Sequence, residues 1–202
     1  MKALIINCTL KRSPEPSNTE ALAKVVAEEL DRLGASVSWV RAVDLRVPEG
    51  VKTSQGGDDE WPGVHDSLLD SEILVIASPT WLGRPSSVAQ RVLERMDGML
   101  GETDDEGRPV AYGRVAGVVV TGNEDGAHHV VSEISGALVD IGYTIPGQSW
   151  TYWHLGPGPG PDYLDDERGH EWSAKTARTM AGNLFAAAEA LRANPLPAPT
   201  DS

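Results

Sequence analysis

At 202 residues the chain is long enough to bury a core of its own without disulfides or structural metals. Its single cysteine, Cys8, excludes an internal disulfide framework and an all-cysteine metal or iron–sulfur site. A formal net charge of −13 and a pI near 4.7 argue against a nucleic-acid surface and suit either plain solubility or docking on a basic partner. Met1-Lys2 lead straight into Ala3-Leu4-Ile5-Ile6, too short a run for a signal sequence or membrane span. A cytoplasmic protein with no membrane partner is the expectation.

Short β-branched runs alternate with helical stretches, the pattern of a parallel sheet covered on both faces. Residues 3–7 form a continuous apolar run that predicts a buried central strand. Residues 19–33 place Leu22, Val25, Val26, Leu30 and Leu33 at helical spacing, with Gly34 as the stop. A second strand is predicted over 36–43, with Val37, Trp39 and Val43 facing inward. The stretch 47–63, with its acids Asp58, Asp59 and Glu60, reads as a surface connection. A short helix over 64–71 leads to a third strand over 73–77, then a helix over 86–100. After a polar loop, a fourth strand (115–120), a helix (127–141) and a weaker fifth strand (144–152) follow. The alternation of Gly and Pro from Gly156 to Pro161 permits neither helix nor ladder. An Ala-rich helix over 171–193 closes a single domain of residues 1–193, and 194–202 are expected to be a disordered tail. The expected sheet order is 2-1-3-4-5.

Such sheets bind ligands beyond the carboxyl ends of their strands. After the first strand, Asn7 to Thr19 gathers hydroxyls, an amide, Lys11, Arg12 and a helix N-terminus, which together suit a phosphate. Capping by Ser17 or Asn18 alone is the plainer alternative. After the third strand, Ser78-Pro79-Thr80-Trp81-Leu82-Gly83-Arg84-Pro85 holds an aromatic face on a stiffened loop. After the fourth, Thr121-Gly122-Asn123-Glu124-Asp125-Gly126 offers backbone N–H groups to the edge of a heterocycle. His128 and His129 follow, but adjacent helical positions diverge by about 100° and do not chelate together.

Taken in order, these loops resemble the flavodoxin-like NAD(P)H-dependent FMN reductase family, which includes quinone reductases. The opening "IINCTLKR…SNT" resembles the family's phosphate loop, "SPTWLGRPS" its second flavin loop and "TGNEDGAH" its third. The resemblance implies an α/β flavodoxin-like three-layer sandwich with a five-stranded parallel sheet. It further implies tightly bound FMN, NADPH or NADH as electron donor, ping-pong hydride transfer to a small acceptor, and a homodimer or homotetramer. By the same resemblance Thr9, Lys11, Arg12, Ser17, Asn18 and Thr19 hold the FMN phosphate. Pro79, Thr80, Trp81, Leu82 and Gly83 lie along the ring and ribityl chain, and Thr121, Gly122, Asn123 and Gly126 lie near the ring. Leu10 departs from the family's usual proline. A flavodoxin-type electron carrier without a substrate site is the rival reading, and a scaffold that has lost flavin is a third.

Overall fold

A computed structural model of the chain describes residues 1–200. Five parallel strands form one sheet in the order β2-β1-β3-β5-β6, which is 2-1-3-4-5 when the parallel strands are counted alone. They are β1 (Lys2–Asn7), β2 (Ser36–Arg41), β3 (Ile73–Trp81), β5 (Val115–Thr121) and β6 (Trp150–Trp153). β4 (Arg84–Pro85) pairs only with the end of β3, antiparallel. The helices are α1 (Asn18–Arg32), α2 (Trp61–Leu69), α3 (Ser87–Met96), α4 (Ala127–Ile141) and α5 (His170–Ala193). The architecture is α/β and flavodoxin-like.

The alternation of side chains along each strand divides the core in two. Leu4, Ile6, Leu74, Ile76, Val118 and Val120 face α2, α3 and α4, while Ala3, Ile5, Ile73, Val75 and Val119 face α1 and α5. Both faces of the central strands are therefore dry, which is why β1, β3 and β5 read as unbroken apolar runs. Among the described residues no helix is long and apolar enough to cross a membrane.

Several expectations are corrected. The third strand does not stop at Ala77: Ser78 and Pro79 continue the register opposite Val120 and Thr121, and the chain then reverses as a hairpin. Its two-residue turn places Leu82 at φ 52° and Gly83 at φ 72°, the paired positive angles of a primed turn whose twist matches the flanking strands. Leu-Gly lacks the usual Asn-Gly signature, so the turn is hidden in the sequence. Trp39 is 39% exposed on the edge strand β2, and Val40 packs against the core from the other face. The α3 helix ends at Met96 and tightens into a 3₁₀ turn over Asp97–Gly101, where Gly98 lies against the Lys52–Thr53 backbone. α2 begins at Trp61, earlier than expected, with Pro62 in its first turn. β6 is confined to Trp150–Trp153, because Pro146 and Gly147 interrupt the ladder after a lone bridge from Thr144 to Val115.

The stretch 47–63 is no plain surface connection. The Asp59 side chain is 1% exposed and paired at 2.7 Å with Arg95 of α3, itself fully buried. Arg95 also donates to the carbonyls of Pro48, Lys52 and Thr53, gathering the whole segment onto the helix. Beyond Ala193 the chain has no helix or strand as far as Thr200, and the last two residues of the expected disordered tail lie outside the described residues.

Candidate functional site

The carboxyl ends of β1, β3 and β5 open on a cleft with about 510 Å³ of empty space, open solvent included. Thr9, Leu10 and Lys11 form one wall, with Asn18 and Thr19 at the start of α1. Pro79, Thr80 and Trp81 form a second, Thr121, Gly122 and Asn123 a third, and Asp162 and Tyr163 close it.

The first wall is built by side chains that hold backbone. Asn7 ends β1, and its Oδ1 accepts from Thr9 N at 3.1 Å, so the strand turns sharply. Thr9 Oγ1 then accepts from Lys11 N at 3.3 Å. From β2, the Arg41 guanidinium donates to the carbonyls of Lys11 and Glu15 and pairs with Glu20. Burial pushes the Glu20 carboxyl up, but hydrogen bonds from Arg41 and Lys24 outweigh it and keep Glu20 below the usual carboxylate range. Ser17 caps α1: its Oγ accepts from Glu20 N at 3.1 Å and its carbonyl from Ala21 N at 3.0 Å. The first two N–H groups of the helix, those of Asn18 and Thr19, are left at the cavity with no acceptor among the described residues.

The second and third walls are locked to each other and to the first. Thr19 and Thr121 share a hydrogen bond at 2.8 Å between their hydroxyls, bracing α1 against the end of β5. Ser86 caps α3 through Ala89 N and donates at 2.7 Å to the Cys8 carbonyl, joining β1 to the foot of the hairpin. The Glu124 carboxylate accepts from Leu82 N, and Arg84 reaches Glu133 of α4 at 2.6 Å, so the hairpin leans on the third wall. Trp81 presents its indole at the rim, 49% exposed. Thr80 is 2% exposed, and its Oγ1 has no hydrogen-bond partner among the described residues. A buried hydroxyl left unpaired costs about 1–3 kcal/mol, and here it belongs to a residue lining the cavity.

Nine of the residues singled out in the sequence lie together on the lining, besides Thr121: Thr9, Lys11, Asn18, Thr19, Pro79, Thr80, Trp81, Gly122 and Asn123. The others lie off it. Arg12 borders a separate cleft with Val43 and Val88, and Ser17 caps α1 as an acceptor, its O–H donor uncommitted among the described residues. Leu82 stands 91% exposed at the hairpin tip, while Gly83 and Gly126 touch each other behind the cavity. Cys8 is buried beneath the first wall, and burial pushes its thiol up, out of nucleophilic use. His129 meets Glu133 at 3.2 Å, whereas His128 abuts Trp150 and Tyr152 edge-on, so the pair diverge.

Asp162 and Tyr163 carry no motif that reading the sequence could catch. They follow the Gly-Pro run, which acts as a strap across the ligand end of the sheet. Gly160 N donates to the Asn123 carbonyl at 2.6 Å, and Leu164 N donates to Asn18 Oδ1 at 3.1 Å. Tyr163 stacks on His170 at 3.9 Å and receives the edge of Trp153 at 5.5 Å. The usable signal was positional: a stiff, helix-free segment directly after a strand of a parallel sheet lies where ligands bind.

The family model described as NADPH-dependent FMN reductase matches residues 1–155. A Streptomyces davaonensis protein, 8-demethyl-8-aminoriboflavin-5′-phosphate synthase, is 34% identical over 96% of this chain and 80% of its own length. A Mycobacterium bovis protein named divalent metal cation transporter MntH is 39% identical over 99% of this chain, which spans only 30% of that protein. Among solved structures, RosB with the bound intermediate 8-demethyl-8-formylriboflavin-5′-phosphate superposes with a TM-score of 0.90 at 31% identity, covering 97% of this chain and 82% of RosB. An archaeal flavodoxin, at 12% identity and a TM-score of 0.59, shares the fold. The cavity thus sits on a fold and a sequence pattern that agree: the chain belongs to the NADPH-dependent FMN reductase family.

Proposed function

We propose that the cavity binds FMN and that the chain, acting through residues 1–193 as one domain, is an NAD(P)H-dependent oxidoreductase for a small acceptor. The observation that carries this reading is the unpartnered buried hydroxyl of Thr80, a residue of the lining, together with the free N–H groups of Asn18 and Thr19 on the same lining. The donor set also fits the group. The N–H groups of Asn18 and Thr19, the Thr9 hydroxyl and the Lys11 ammonium suit a phosphate ester at a helix N-terminus. Pro79, Trp81, Gly122 and Asn123 suit a flat heterocycle, with Trp81 as its aromatic wall and the backbone N–H groups of the third loop toward its carbonyl edge. Bound FMN supplies the two-electron store and hydride acceptor. The chain orients it, shields one face from water with Trp81 and Tyr163, and leaves the rim open to a donor.

Thr80→Val tests the assignment directly. The variant is expected to weaken FMN binding about tenfold while leaving the unliganded protein as stable as before or slightly more so, since an unpaired buried hydroxyl is removed. Titration calorimetry and thermal melts read the two quantities, and unchanged FMN affinity would refute the contact.

The similarity to the S. davaonensis synthase and to RosB favours a second reading, in which the flavin phosphate is itself the compound transformed. Stopped-flow mixing with NADPH, followed by mass spectrometry of the released flavin, separates the possibilities. Fast bleaching with a flavin of unchanged mass supports the reductase. A flavin of altered mass supports the second reading, and inertness to both nicotinamides supports an electron carrier. We also read the protein as cytoplasmic and as a homo-oligomer, the latter supported by the partly exposed aromatic stripe of Trp150 and Tyr152 on the edge strand β6 and Trp172 of α5. Light scattering on the purified chain tests the oligomer.

A further inference from the structure

The charge on the cavity wall is decided outside the region that the family model matches. Among the described residues Lys11 is the one cation on the lining, and its Nζ already lies 3.8 Å from Glu15 Oε1. Arg41 is committed to Glu20 and two carbonyls, Lys24 also pairs with Glu20 at 3.0 Å, and Arg12 faces the separate cleft. Among the described residues the one carboxylate on the lining is Asp162, and it has no cation within ion-pair distance. Lys11 and Asp162 therefore cancel, and the lining brings no net side-chain charge to an anion.

The backbone on either side of Asp162 is also held in place. Asp162 lies two residues before Leu164, whose N–H is bonded to Asn18 at the first turn of α1, so its backbone is tied close to that N-terminus on the same lining. Upstream, Gly160 N is bonded to the Asn123 carbonyl, and Gly158 (φ 84°) packs so closely that a Cβ there would stand 2.6 Å from the same oxygen. Downstream, Tyr163 is clamped by His170, whose Nε2 lies 2.9 Å from the Tyr163 carbonyl. The strap's backbone joins the first and third loops as a wall, and the Asp162 side chain that it carries makes no hydrogen bond among the described residues.

We propose that Asp162 is a specificity-determining residue that disfavours a doubly charged phosphate at the start of α1 and so keeps FMN loosely held and exchangeable. The proposal rests on the reading of the cavity as a flavin site and departs from the tightly bound flavin expected from the sequence. Riboflavin, which has the same ring and ribityl chain without the phosphate, escapes the penalty.

Equilibrium dialysis of the full chain against FMN and against riboflavin tests it. Asp162→Asn is expected to tighten FMN about 5- to 10-fold at low salt and to leave riboflavin within about twofold. In 1 M salt the FMN gain should shrink toward nothing, as expected for a through-space charge effect. Asp162→Glu, which keeps the charge, should match the parent chain. Weaker or unchanged FMN binding in Asp162→Asn, equal tightening of both flavins, or an Asp162→Glu variant that behaves like Asp162→Asn would each overturn the proposal. Retention of neither flavin by the parent chain would instead remove the underlying reading of the cavity, and this proposal with it.

Discussion

Replacing Arg95 with methionine is expected to lower the unfolding free energy by about 3–5 kcal/mol, the range for removing one partner of a buried ion pair. Arg95 is fully buried and meets the Asp59 carboxylate with two nitrogens, at 2.7 and 3.1 Å. Its guanidinium also lies 5.4 Å from the centroid of the buried Trp61 ring. Methionine follows the same path and fills much of the volume, but it leaves Asp59 charged in a dry site and frees the carbonyls of Pro48, Lys52 and Thr53. Urea unfolding followed by circular dichroism measures the loss. A change under about 1 kcal/mol would mean that the 48–59 segment contributes little to stability. The double variant Asp59→Asn/Arg95→Met should recover part of the loss, because it no longer strands a charge.

The same pair sets an acid limit. Hydrogen bonds from Arg95 dominate over the opposing burial and, with the N–H groups of Gln55 and Trp61, hold the Asp59 carboxyl at about 2. Because the folded value lies below the unfolded one, the stabilisation is complete above about pH 4 and is lost as pH falls toward 2. A span of nearly two pH units corresponds to about 2 kcal/mol. In the Arg95→Met protein, unfolding free energies between pH 4 and 2 should fall less steeply than in the parent.

The strand pattern was legible because burial on both faces leaves a mark on composition. Ala3 to Asn7 and Val115 to Thr121 carry only apolar or small residues until the ligand end. The three ligand loops could be read for a related reason, since each follows such a strand and opens a helix. What could not be read depends on partners distant in sequence. Nothing near Asp59 distinguishes it from its exposed neighbour Asp58 until Arg95, 36 residues on, is brought beside it. Asp162 and Tyr163 reach the cavity only because Asn18 and Asn123 hold the strap there. The residues to which the resemblance points also divide for a physical reason: Ser17 lies off the lining as the cap of α1, while Thr19 and Thr121 lie on it and brace it through the bond between their hydroxyls.

Gly83 and Gly126, which the resemblance puts beside the flavin, pack against each other, and the consequence is large. Gly126 caps α4 at φ 108°, a left-handed position, and a Cβ added there would lie 2.7 Å from the Gly83 Cα at the hairpin turn. That contact lets the hairpin carrying Thr80 and Trp81 rest against the third loop. Alanine at 126 is expected to cost about 1–2 kcal/mol from backbone conformation alone. The collision is with backbone, so no side chain can rotate away, and the hairpin must move outward and take Thr80 and Trp81 with it. FMN affinity should then fall at least about tenfold. Gly107→Ala is the matched control: Gly107 has φ 75° and open space around it, so it shares the strain without the collision. If both variants lose similar stability but only Gly126→Ala loses flavin, the hairpin contact is what shapes the cavity. If Gly126→Ala binds FMN as the parent does, the hairpin is no part of the site, and the ring must be held by the first and third loops alone.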